Sequence, residues 1–219
     1  CIVAFSSELA DDAPDRASEA VLQAMRRWPR ERFLSHHFFE LLALSYIKIY
    51  EGHPGEVLSR LQAAEADLQK SMTNRVRIAR VSLLELRARA RCAMLADSRE
   101  KPSSAHMESL RVNLQSLQRG EQPEMLALGQ LLQAGMAAIE GDKERALDAL
   151  RGAVTRLEAL SFHLWARPAK AQLAALLEGG RSGPQYRAVI QEMRDAGIRA
   201  PEKHTRMMTP GLSKLTGVR

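Results

Sequence analysis

The residues best suited to chemistry in this chain are few and scattered. His36 and His37 are adjacent, and Glu40 follows His36 by four residues, so His36 and Glu40 share one face of a helix. That pair offers two ligands where a structural zinc ion takes four, and His53, His106, His163 and His204 have no ligand spacing. We therefore expect no metal and no cofactor; one histidine of the pair packs beside Phe33 and Phe38 and the other stays wet. Cys1 and Cys92 are far apart and lack Cys-x-x-Cys spacing, which argues against a disulfide framework and fits a reducing cytoplasm. No Ser/His/Asp, Cys/His or paired-carboxylate arrangement stands out, so no catalytic residue is assigned and the chain reads as a non-enzyme. Gly179-Gly180-Arg181-Ser182-Gly183-Pro184 lacks the preceding strand and the closing Gly-Lys-Ser/Thr of a phosphate loop, and reads as a helix connector.

Arginine is the more suggestive residue. Only seven of the 32 basic residues are lysine, and Arg77, Arg80, Arg87 and Arg91 are spaced to form a narrow stripe beside the apolar face Val76, Ala79, Leu83, Leu86 and Ala90. On the concave side of a helical array such a stripe could grip carboxylates or phosphates through paired guanidinium bonds. The plainer and favoured reading is a solvated face whose arginine stems cover apolar surface and whose heads meet neighbouring acids. Phe33, Phe38, Phe39, Leu42, Tyr46 and Tyr50 gather in one segment; core filling between helix pairs is favoured over an interface role, and Trp28 and Trp165 are expected at pair junctions.

The elements that must position these residues are helices. Ala, Leu, Arg, Glu and Gln dominate, aromatics make up 5%, and no segment alternates as a strand would. No apolar run approaches the ~20 residues of a membrane span. The net charge of +6 favours anionic partners in general, but without aromatic interleaving it makes a nucleic-acid partner a weak expectation.

An internal repeat sets the architecture. Glu51-Gly52 followed by Leu58, Leu61, Ala64 and Leu68 matches Glu140-Gly141 followed by Leu147, Leu150, Ala153 and Leu157, at a constant offset of 89. Each glycine supplies the left-handed cap that ends one helix before the next begins, and half the offset is one helix pair. The pattern predicts an all-α, right-handed α-α superhelix of antiparallel pairs, a tetratricopeptide-like solenoid of about nine helices. A leading helix spans 14–28, with Ala17, Ala20, Val21, Ala24 and Trp28 giving it the small-residue spacing of a second helix, and pairs span 31–70, 73–119, 122–160 and 162–196. Within the second pair a polar loop with Pro102 is expected over 97–104. The array occupies 1–196, and 197–219 reads as a polar capping tail. The chain begins at Cys1 rather than Met, and we read it as part of a longer protein whose array continues upstream.

The helix pairs, the glycine-closed turns and the stretch Gly197-Ile198-Arg199 through Thr205-Arg206-Met207-Met208-Thr209-Pro210-Gly211 together resemble the C-terminal helical-repeat region of large bacterial serine/threonine protein kinases and related signalling ATPases. The repeats are longer than the tetratricopeptide consensus and lack its Trp-Leu-Gly-Tyr order. The kinase signatures themselves are absent, so the resemblance implies a non-catalytic scaffold. Its partner would be a protein or the upstream domains of its own chain, with an acidic segment met through Arg77, Arg80, Arg87 and Arg91. A small-molecule-sensing regulatory domain is the alternative reading, and a basic nucleic-acid-binding repeat a weaker one.

Overall fold

The computed structural model describes residues 2–98, 103–120 and 122–217, excluding the side chains of 2–4, 72 and 74. Cys1 and the part of the expected polar loop that includes Pro102 lie outside these residues. One backbone device recurs at five turns among the described residues. At Gly52 (φ +86°) the amide of Gly52 donates to Ile49 O and that of His53 to Lys48 O; at Gly141 (φ +81°) Gly141 donates to Ala138 O and Asp142 to Ala137 O. These paired bonds satisfy the last carbonyls of a helix and reverse the chain, and they need a left-handed residue. The two glycines of the 89-residue offset therefore occupy the same conformation. Asp12 (φ 56°), Ser161 (φ 57°) and Gly197 (φ +89°) close three further helices in the same way.

The turns separate α1 (Ile2–Ala10), α2 (Pro14–Met25), α3 (Ser35–Glu51), α4 (Pro54–Ala63), α5 (Glu65–Lys70), α6 (Arg77–Asp97), α7 (Ser104–Gln118), α8 (Pro123–Glu140), α9 (Lys143–Ala159), α10 (His163–Leu177), α11 (Pro184–Asp195), α12 (Pro201–Met208) and α13 (Ser213–Thr216), with a 3-10 turn at Met72–Arg75. Consecutive helices pack as pairs, and α1 also packs on α3, α3 on α6 and α6 on α8, so the first helices form an inner layer. Apolar faces meet between the layers: Ala17 and Val21 of α2, Ile47 of α3, Leu61 of α4 and Leu86 of α6 lie in one cluster, and Leu131, Leu150 and Leu157 in the next.

Thirteen α-helices among the described residues replace the nine expected, for three local reasons. Ile2–Ala10 is helical and pairs with α2. The second helix of the first full pair bends at Ala64 (ψ −5°), dividing it into α4 and α5, whereas its counterpart α9 continues unbroken. The segment after Gly197 adds α12 and α13.

That last segment is polar in composition and buried in fact. His204, Thr205 and 207–212 are all buried. It runs along the inner layer and meets each first helix of the four full pairs. Arg206 donates to Tyr50 O of α3 (3.4 Å), Met207 O and Pro210 O accept from Arg89 (2.6 Å) and Cys92 (3.2 Å) of α6, and Gln172 of α10 donates to Thr209 Oγ1 (3.1 Å). At Gly135 of α8 the approach is so close that an added Cβ would stand 2.1 Å from Pro210 O. Met207, Met208 and Leu212 complete the two largest apolar clusters.

Candidate functional site

The arginine stripe does not face this interior. The tail meets the face of α6 that carries Glu85, Arg89 and Cys92, whereas Arg80 and Arg87 lie over the seam with α5, beside Glu65 and Leu68. Arg87 is ion-paired with Glu65, and Arg77 and Arg80 are exposed. Half-buried Arg91 has Nε and Nη1 without a partner among the described residues, and burial, with Arg87 beside it, lowers its pKa. The geometry splits the four: one paired, two in solvent, one partly covered.

The other sequence candidates divide similarly. His37 is buried, accepts the Leu34 amide on Nδ1 (3.0 Å) and so caps α3, with its ring tilted 5.7 Å from that of Phe33. His36 stacks under Trp28 at 3.5 Å, which places Trp28 outside the core at 41% exposure rather than at a pair junction. Trp165 does bridge two apolar clusters. Glu40 is consumed by a two-pronged ion pair with Arg30 (2.8 and 2.9 Å), which removes it from any ligand set with His36. Among the described residues no three His, Cys, Asp or Glu side chains converge as metal ligands. At the start of α11 the amides of Gln185 (3.0 Å) and Tyr186 (3.1 Å) already donate to the Glu178 carboxylate, which leaves neither of them for a phosphate.

Sequence reasoning missed the group that holds the interior together. Glu85 accepts from Tyr46 Oη (2.9 Å) and from Arg89 Nε (2.6 Å), and the Arg89 guanidinium, wholly buried, lies 5.8 Å from the centre of the Tyr46 ring. Cys92 is pushed up to about 12 by burial, so its thiol stays protonated and donates to the tail. His204 is buried with neither ring nitrogen partnered among the described residues, and burial, reinforced by Arg89, pushes it down to about 4. Glu85, Arg89, Cys92 and His204 are all buried, and together they hold the tail against α6.

The His204 shift predicts a pH effect. A histidine whose pKa falls on folding is neutral in the native state and takes up a proton on unfolding, so stability is complete above the unfolded value of about 6.5 and is lost as pH falls toward 4. We expect a loss of roughly 2 to 3 kcal/mol from this group between pH 7 and 4. Urea titrations of wild type and His204→Gln at both values test it; equal pH dependence in the two proteins would assign the acid sensitivity elsewhere.

The accessible apolar surface lies elsewhere. Nine large hydrophobic side chains are exposed among the described residues, and four of them, Leu34 (38%), Phe39 (39%), Val76 (50%) and Ile78 (70%), line one groove of about 1030 Å³ between the start of α3 and the 3-10 turn and first turn of α6. Phe38 and Leu42 form its floor with Ala79. Val76 precedes the first turn of α6, where no neighbouring helix covers it, and so departs from the buried face formed by Ala79, Leu83, Leu86 and Ala90. A second cavity of about 330 Å³ lies beside it and is polar, lined by Arg30, His37, Glu40 and Arg60. No protein-family model, curated protein or solved structure matches the chain. Among the described residues no helix is long and apolar enough to cross a membrane.

Proposed function

We propose that the chain is a non-catalytic protein-interaction scaffold of tetratricopeptide-like helix pairs, the repeat region of a larger bacterial serine/threonine kinase or signalling ATPase, acting in the cytoplasm. Partner capture uses the groove between α3 and α6 and not the interior of the array. The observation that carries this reading is the concentration of four exposed hydrophobic side chains on one groove, while the inner layer is already occupied by the chain's own end. Helical arrays commonly bind through their inner surface, and here that surface is spent on the tail. Exposed Arg77 lies between the lining residues Val76 and Ile78 and would contribute to a partner's binding from the rim, whereas Arg80 lines the seam with α5.

Capture from a bacterial lysate by immobilised wild type and by Phe39→Ser/Ile78→Ser, matched for melting temperature, tests the reading. A protein retained by wild type and lost by the variant is the expected result. Retention by both, or by neither, would remove the groove from the account.

A further inference from the structure

The groove's occupant can be narrowed by its rim. Arg32 and Lys70 line it, and Arg75 and Arg77 alternate with the lining residues Thr73, Val76 and Ile78. All four cations are exposed and none has an ion pair among the described residues. Glu31 and Asp67 offset Arg32 and Lys70 within the lining, so the surplus of positive charge comes from exposed Arg75 and Arg77 next to Val76 and Ile78. Resting on the reading of this groove as a docking site, we infer that it takes an amphipathic helix of a partner protein whose apolar stripe is flanked by acidic residues.

Two physical arguments select a helix. No strand exists among the described residues, so there is no sheet edge to which an extended segment could add. A helix about 10 Å across fills 1030 Å³ with roughly two to three turns, enough to seat side chains at i, i+3, i+4 and i+7. The side chains on the rim are up to 70% exposed, which suits a surface that is covered by a partner rather than a pocket that encloses a small ligand.

The test uses the full chain and two labelled synthetic helices of about 14 residues, identical in their leucine stripe, one with glutamate and one with lysine on the remaining positions. Anisotropy at low ionic strength should show the glutamate peptide binding about tenfold tighter, with the margin shrinking as salt screens the rim. Lys70→Glu/Arg77→Glu should reverse the preference, and circular dichroism should show the peptide gaining helix on binding. Equal affinity of the two peptides, or binding without helix gain, overturns the acidic-helix inference while leaving the groove reading intact. Peptide binding unaffected by Phe39→Ser/Ile78→Ser overturns the groove reading itself. Self-association of the wild-type chain that Ile78→Ser abolishes, seen by sedimentation, would assign the groove to a second copy and also overturn the inference.

Discussion

Arg89→Ala is expected to lower the unfolding free energy by about 3 to 5 kcal/mol, a large share of the total for a domain of this size. The wild-type guanidinium is 0% exposed, meets the Glu85 carboxylate at 2.5 and 2.6 Å, and donates to Met207 O. Removing it strands Glu85, only 3% exposed, with a single hydroxyl donor from Tyr46, and leaves Met207 O without its side-chain donor. The cost is that of an uncompensated buried charge, not the net worth of the pair. Two further measurements separate this cause from simple loss of volume. Glu85→Gln/Arg89→Met, which removes both charges, should recover most of the stability. Hydrogen exchange in Arg89→Ala should accelerate first over 201–216, because the tail loses its anchor on α6 while α8 and α9 keep their own contacts. A loss below about 1 kcal/mol in urea titration would show that the pair does not hold the tail.

Gly135→Ala is expected to destabilise by roughly 3 kcal/mol, although alanine is the better helix former by about 1 kcal/mol. The position lies within α8, and an added Cβ would stand 2.1 Å from Pro210 O and 2.8 Å from Cys92 Sγ. The obstructing atom is backbone, so either the tail or α8 must move. Gly211 shows the same closeness from the other side: its own Cβ would meet Gly135 O at 2.5 Å, and its φ of +92° excludes ordinary side chains. Gly129→Ala in the same helix is the control. Its added Cβ would find ordinary contact with Leu117 Cβ at 3.5 Å, so helix propensity prevails and the protein should gain up to about 1 kcal/mol. Opposite signs at two glycines six residues apart on one helix would verify the seating of the tail; a neutral Gly135→Ala would contradict it.

The pairing of helices was legible because its signals are local. Leucine and alanine spacing marks a buried face within one helix, and Gly52 and Gly141 mark equivalent left-handed turns with the same pair of backbone bonds. The turns at Asp12 and Ser161 use the same device without glycine, and residue type gave no sign of them. Arg87 and Arg89 show the limit most clearly. They are two residues apart and alike in type, yet about 200° of helix rotation sets Arg87 over a neighbouring surface helix and Arg89 in the interior.

Amino-acid order alone marked nine helical stretches and most of their buried stripes, since these depend on propensity and on spacings of three to seven residues, but not α1, α12, α13 or the break between α4 and α5. Tertiary structure alone decided that the polar end of the chain is core. The partners of that segment lie far away in sequence: Arg89 and Cys92 reach its carbonyls across 118 residues, and its own Arg206 reaches the Tyr50 carbonyl across 156, bonds that offset the cost of burying these polar groups. By filling the inner layer, the tail leaves the apolar groove between α3 and α6 as the surface through which we propose the array meets its partner.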